Sequence, residues 1–295
     1  MARWGRLLSF VFVFGGAAAF AADDITVTPN LTYATIGDVK LQLDLAMPKE
    51  GDGPFPAIVF IHGGGWSGGN RHSFRAKIEE AARRGYVAVT ISYRLTQPDP
   101  ESGKPKEPFP AQLHDCKAAV RWLRAHAEEF KIHPNRIGVM GASAGGHLSL
   151  LVGLTSGSDK LEGEQGDLDQ SSRVQAVVNV FGPTDLVRHF ETAPGAVGFL
   201  KGLCNGTPDT ARDTYEAASP LKYVTRDDPP VLTLHGDKDQ LVPLEQAQLL
   251  DERMKAVGGK HELVVLKDQG HGFNGDAVQE ADEAAWNFLA KHLRP

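Results

Sequence analysis

Val139-Met140-Gly141-Ala142-Ser143-Ala144-Gly145-Gly146-His147 is the stretch that decides how this chain is read. An apolar run over 136–140 ends in Gly-x-Ser-x-Gly and passes at once into a helical pattern over 144–154. That succession is the sequence form of a nucleophile elbow, a sharp strand-to-helix turn with a serine at its tip. A turn this tight brings two backbones together, so Cβ atoms at Gly141 and Gly145 are expected to collide with them. Ser143 is expected in a strained backbone conformation that lifts its hydroxyl clear of the sheet. Glycine-rich turns containing serine are common, so the pentapeptide draws its meaning from the rest of the chain.

On either side of the elbow, strands and helices alternate. Two alternating apolar–polar runs, 25–33 and 39–45, read as an antiparallel pair turning at Ile36-Gly37-Asp38. Beyond them the strands become continuously apolar, as in Ala57-Ile58-Val59-Phe60-Ile61, the mark of a strand covered on both faces. Further strands are expected at 86–91, 136–140, 174–181, 231–235 and 262–266. Helices are expected at 73–84, 111–126, 144–154, 244–257 and 277–293, with a Pro-rich loop at 97–110 and a polar loop at 156–172. The pattern predicts an α/β fold with a mainly parallel central sheet of about eight strands flanked by helices. Residues 183–229 break the alternation and carry several helix breakers. So long an interval is expected to be a small helical cap, placed beyond the C-terminal end of a strand where open α/β sheets bind ligands.

The chain has 295 residues, of which 41% are hydrophobic and 23% charged, an ordinary globular balance. Residues 1–21 read as a signal peptide: Arg3 and Arg6 precede an apolar core over 7–20, and Ala19-Phe20-Ala21 fits a small-x-small cleavage site. The apolar run is shorter than the roughly 20 residues of a spanning helix, so export rather than stable membrane insertion is expected, to periplasm or medium. Residues 22–295 then form one catalytic domain. A net charge of −6 argues against nucleic acid as a partner. Cys116 and Cys204 are the only cysteines; in an exported protein they could pair, but two are too few for a disulfide framework, and Cys116 falls on the apolar face of its helix, where a small buried thiol is the commoner role. No His or Cys spacing stands out as a zinc site, and neither metal nor cofactor is expected.

A nucleophilic Ser143 needs a base, a group to orient that base, and donors for an oxyanion. His271, between glycines in Gly270-His271-Gly272-Phe273 after the last strand, is the base candidate. Two carboxylates compete in His235-Gly236-Asp237-Lys238-Asp239. Asp239, further along the loop, is assigned to the histidine; Asp237, tight against the turn, is expected to accept backbone N–H bonds within it. The oxyanion donors are expected from Ile61-His62-Gly63-Gly64-Gly65-Trp66: the N–H groups of Gly64 and Gly65, joined by that of Ala144 at its helix N-terminus. Removing one such donor costs about 2.7–4 kcal/mol of barrier. A phosphate-loop reading of these glycines lacks the lysine and Ser/Thr that such loops carry. His62, His147 and His235 are expected to be hydrogen-bonded structural residues. Trp66 fits a wall of the substrate cleft and a packing residue equally well.

Taken together, the chain resembles the α/β-hydrolase superfamily, and within it the HGGG-type esterase/lipase group. The resemblance spans nearly all of the mature chain. It rests on His62-Gly63-Gly64-Gly65-Trp66, Asp115-Cys116-Lys117-Ala118-Ala119-Val120-Arg121-Trp122, Gly141-Ala142-Ser143-Ala144-Gly145-Gly146-His147-Leu148, His235-Gly236-Asp237-Lys238-Asp239 and Gly270-His271-Gly272-Phe273. It implies a Ser143, Asp239, His271 triad and an oxyanion hole on the Gly63-Gly64-Gly65 turn and Ala144. It also implies a serine carboxylic-ester hydrolase acting on small or carbohydrate-linked esters, similar to bacterial acetylxylan and feruloyl esterases. A small amidase or arylformamidase, or a peptidase, would use the same triad, although peptidases of the prolyl-oligopeptidase type carry a large β-propeller for which there is no room. A non-catalytic binding protein on this scaffold predicts a missing triad member, and none is missing.

Overall fold

The computed structural model describes residues 24–294; the signal-peptide reading of residues 1–21 lies outside the described residues. The strands of the main sheet are β1 (Ile25–Ile36), β2 (Val39–Pro48), β3 (Phe55–Ile61), β4 (Val87–Ile91), β5 (Ile132–Ala142), β6 (Ala176–Val180), β7 (Val231–Gly236) and β8 (His261–Leu266). They pair in the order β1-β2-β4-β3-β5-β6-β7-β8. Only the β1–β2 and β2–β4 ladders are antiparallel; every other neighbour runs parallel. The helices are α1 (Arg75–Arg83), α2 (Ala111–Ala125), α3 (Ala144–Leu154), α4 (Leu186–Thr192), α5 (Val197–Cys204), α6 (Arg212–Ala217), α7 (Glu245–Val257) and α8 (Asp276–Leu293), besides one-turn pieces.

Strand β3 shows why the sequence reads as it does. Ala57, Val59 and Ile61 enter one apolar cluster, with Leu113 of α2, Leu148 of α3 and Leu250 of α7. Ile58 and Phe60 enter a second cluster on the opposite face, with Ile78 of α1 and Trp286 of α8. Both faces are dry, so no polar alternation survives. A side chain of this size contributes about 1.5–3 kcal/mol by leaving water. Helix α3 is buried along its whole length, between the sheet, α2 and the segment below the cap, which accounts for its apolar, glycine-rich sequence.

Two details differ from the sequence reading. Strand β5 starts earlier and runs on to Ala142, because Ala142 still pairs with Val180 of β6. The 97–110 loop is not wholly irregular: Gln97–Pro98 pairs antiparallel with Pro105–Lys106. Residues 183–229 hold α4, α5 and α6 with two short 3-10 turns, and Leu200, Leu203 and Tyr215 of this insertion join the main apolar cluster. Cys116 and Cys204 are both free and buried; burial pushes the Cys204 thiol up to about 12 and the Cys116 thiol well above its ordinary value. Among the described residues no helix is long and apolar enough to cross a membrane.

Candidate active site

The elbow forms as its glycines require. A Cβ at Gly141 would lie 2.3 Å from the Gly145 carbonyl oxygen, and one at Gly145 only 2.0 Å from that of Ile61. Only hydrogen fits where β5, β3 and α3 converge. Ser143 is held at φ 56°, ψ −121°, a conformation side chains rarely adopt. Its N–H donates to the Val180 carbonyl at 2.9 Å, and its carbonyl accepts the His147 N–H at 3.0 Å, so the turn is pinned from both sides.

Two loops deliver the other candidates. After β8, Lys238 N–H donates to the Gln269 carbonyl at 2.8 Å, and Gly272 N–H closes on the Gly270 carbonyl at 2.9 Å, a three-residue turn with His271 at its apex. Gly236, at the end of β7, lets this loop come close: a Cβ there would sit 2.3 Å from the Gln269 carbonyl oxygen. His271 Nε2 then lies 2.8 Å from Ser143 Oγ, and His271 Nδ1 2.7 Å from Asp239 Oδ2. The serine and histidine are 128 residues apart in sequence. The Asp239 side chain is fully buried while His271 keeps 20% of its surface exposed. A donor must lie between Nδ1 and a carboxylate, so the neutral ring carries its proton there and presents a bare Nε2 to the hydroxyl.

The structural task expected of Asp237 falls to Asp239 instead. Asp239 Oδ1 accepts the N–H groups of Leu241 and Val242, each at 2.9 Å, whereas Asp237 is exposed. The loop places Asp239 where one carboxylate oxygen ends the turn and the other reaches the histidine.

Gly64 and Gly65 adopt φ 120° and 58°, and Gly63 is pressed on the elbow, a Cβ there falling 2.7 Å from the Ala142 carbonyl oxygen. Among the turn, loop and cap hydrogen bonds of the described residues, none uses the N–H of Gly64, Gly65 or Ala144. These donors border a cleft of about 370 Å³ that also exposes Ser143 and His271. Trp66 lines that cleft and is packed as well: it is 3% exposed and its Nε1–H donates to His147 Nδ1 at 3.2 Å. His62, His147 and His235 are buried, and each donates to a main-chain carbonyl, of Gly63, Ala218 and Val242 respectively. Among the described residues no group of three or more His, Cys, Asp or Glu is placed to hold a metal ion.

Several lining residues escape a reading of sequence alone. Phe181 packs its ring 4.6 Å from that of His271, and the insertion brings His189, Ala196 and Phe199 to the cleft. Phe199 lies against Gly65, where an added Cβ would meet its ring at 2.4 Å, and it also borders a second cleft of about 440 Å³ edged by Ser67, Gln97, Lys201 and Asn205. Gly182-Pro183 after β6 is the one local signal that the chain bends into the site there.

A parallel sheet with an antiparallel edge, a serine on the elbow after its central strand, and partners on the loops after later strands define an α/β-hydrolase. Within that class, residues 43–254 match the BD-FAE family model, and the chain belongs to that family. It is similar to esterase LipC of Mycobacterium tuberculosis, 35% identical over 75% of this chain and 54% of the relative; the chain spans about half the length of the curated relatives it matches. Among solved structures it resembles a truncated carbohydrate esterase from gut microbiota, with TM-score 0.77, 29% identity, and coverage of 92% of this chain and 98% of that one. It also resembles esterase 2 of the planctomycete Thermogutta terrifontis, with TM-score 0.74, 30% identity, and coverage of 92% and 95%. That esterase is also known phosphonylated by sarin and phosphorylated by paraoxon.

Proposed function

We propose that this chain is a serine carboxylic-ester hydrolase. The observation that carries the reading is the hydrogen-bonded run from Ser143 through His271 to Asp239, at 2.8 and 2.7 Å. Ser143 Oγ attacks the ester carbonyl carbon while His271 Nε2 takes the hydroxyl proton. Asp239 holds the ring in its tautomer and stabilises the imidazolium without taking the proton itself. Negative charge gathers on the carbonyl oxygen, opposite the N–H groups of Gly64, Gly65 and Ala144, with the N-terminus of α3 adding its dipole. The tetrahedral adduct collapses, the carbon–oxygen bond to the alcohol breaks, and the proton on Nε2 leaves with that alcohol. Water then attacks the acyl-serine, giving a proton to His271; the second adduct collapses by breaking the bond to Ser143 Oγ, which takes that proton back from Nε2, and the acid departs.

Small or carbohydrate-linked esters suit the surroundings. The cleft at Ser143 is walled by Phe181, Ala196, Phe199 and Leu241, which fits a short apolar acyl group. The second cleft beyond Phe199 has the amide or ammonium groups of Gln97, Lys201 and Asn205 among its lining, groups able to hydrogen-bond a hydroxyl-rich alcohol. The kinship with a carbohydrate esterase points the same way. The basic-then-apolar leader over 1–21 supports export, which N-terminal sequencing of the mature protein tests. The decisive assay is hydrolysis of p-nitrophenyl acetate by the parent and by Ser143→Ala, with acetylated xylan, methyl ferulate and an amide analogue in parallel. Rapid turnover of esters that Ser143→Ala abolishes is the expected result; faster cleavage of the amide, or undiminished turnover by the variant, overturns the reading.

A further inference from the structure

The hydrogen bonds at Asp239 do not stop at the carboxylate. Its Oδ1 is held by the N–H of Val242 at 2.9 Å, and that N–H belongs to the peptide unit whose other end is the Leu241 carbonyl. This carbonyl oxygen accepts a hydrogen bond from His189 Nε2 at 2.8 Å. His189 comes from α4 of the insertion, and it is 2% exposed. A carbonyl only accepts, so the His189 proton sits on Nε2. Nδ1 is then a bare acceptor, and it is buried with no partner among the described residues. Burial lowers the basicity of this ring, which favours the neutral form that the arrangement needs.

We propose that His189 is a positioning residue for the ester-hydrolysing site, acting on Asp239 through the Leu241–Val242 peptide. This rests on the serine-hydrolase reading above. A hydrogen bond received at the carbonyl oxygen polarises the amide and strengthens its N–H as a donor. The strengthened N–H grips one carboxylate oxygen and fixes the rotamer that aims the other at His271. The run is continuous: His189 Nε2–H to the Leu241 carbonyl, Val242 N–H to Asp239 Oδ1, Asp239 Oδ2 to His271 Nδ1, and His271 Nε2 to Ser143 Oγ. His235 shows the contrast. It donates to the Val242 carbonyl at 2.8 Å, but the amide beyond that carbonyl is the nitrogen of Pro243, which has no N–H to pass on. The insertion therefore holds the acid as well as walling the cleft.

The test uses the mature protein with His189→Leu, His189→Asn and His189→Gln. Leucine deletes the donor at similar volume, asparagine is polar but too short to reach Leu241, and glutamine places an amide N–H near the position of Nε2. Steady-state kinetics on p-nitrophenyl acetate are read beside the downfield proton NMR resonance of the hydrogen between His271 and Asp239. The leucine and asparagine variants should lose about tenfold in kcat with KM nearly unchanged, the resonance should broaden or shift, and glutamine should recover most of both. If leucine does not fold, asparagine and glutamine make the same comparison. Unchanged kcat and resonance in the asparagine variant overturn the proposal. So does an equal loss in all three variants with KM rising in proportion, which is the behaviour of a packing residue. An inert parent protein strikes instead at the hydrolase reading, and this inference falls with it.

Discussion

Trp66 donates its indole N–H to Nδ1 of His147 at 3.2 Å, and His147 Nε2 donates in turn to the Ala218 carbonyl at 2.7 Å. The glycine loop, the elbow helix and the base of the insertion are thus tied through one imidazole, which must be neutral because Nδ1 accepts. Burial lowers the His147 pKa to about 4. In the unfolded chain an ordinary histidine titrates near 6.5, so the unfolded state binds the proton first. His147 then contributes its full stability above about pH 6.5 and loses it progressively as pH falls towards about 4, a loss of about 3 kcal/mol. Thermal unfolding across this window should show Tm falling on acidification. In His147→Gln the fall should be shallower; an equal slope would mean that other groups carry it.

The two carboxylates of the β7 loop should separate cleanly. Asp239→Asn leaves the shape intact but offers His271 an amide, favouring the wrong tautomer, so kcat should drop by about 10⁴. Asp237 is exposed, and Asp237→Asn should stay within about twofold of the parent, as surface changes generally do. Parallel measurement of kcat on p-nitrophenyl acetate decides the pair, and a reversed outcome would reassign the acid.

Gly145→Ala probes the elbow itself. The new methyl would sit 2.0 Å from the Ile61 carbonyl oxygen and 2.7 Å from that of His62, main-chain atoms at the end of β3 and just beyond it. Overpacking of this kind costs about 3 kcal/mol. Chemical denaturation should show that loss together with lost activity; a variant as stable as the parent would mean that α3 is not seated this close to β3.

Phe199 separates the two clefts yet is 41% exposed. Phe199→Ala should therefore change stability little, by about 0.5 kcal/mol, while altering selectivity. Relative kcat/KM should move from acetyl esters towards esters of bulkier alcohols. An unchanged ratio across an ester panel would show that the ring plays no part in substrate choice.

Much of this was legible in the sequence because local chemistry announces it. The elbow needs glycine where backbones touch, the doubly buried strands lose their alternation, and Ser143, Asp239 and His271 each follow a recognisable strand. The division of labour between Asp237 and Asp239 was harder, since both sit in one turn and only the folded loop shows which oxygen faces which N–H. The contributions of Phe181, His189 and Phe199 were not legible. Phe181 directly follows β6 with φ 41°, a turn that no side-chain pattern announces. His189 and Phe199 depend on how α4 and α5, helices of seven and eight residues, pack over the sheet, and helices that short leave little periodicity to read. His189 carries a further obstacle: it acts through a main-chain amide, which has no signature in the side chains.

Ser143 as the nucleophile, activated by His271 and Asp239, is open to a direct chemical test. It is read by incubating the protein with a fluorophosphonate and analysing the proteolytic fragments by mass spectrometry. A single phosphonyl adduct is expected on the fragment carrying Ser143, formed with loss of fluoride and absent from Ser143→Ala. A folded protein that stays unlabelled, or an adduct on a different residue, would contradict it.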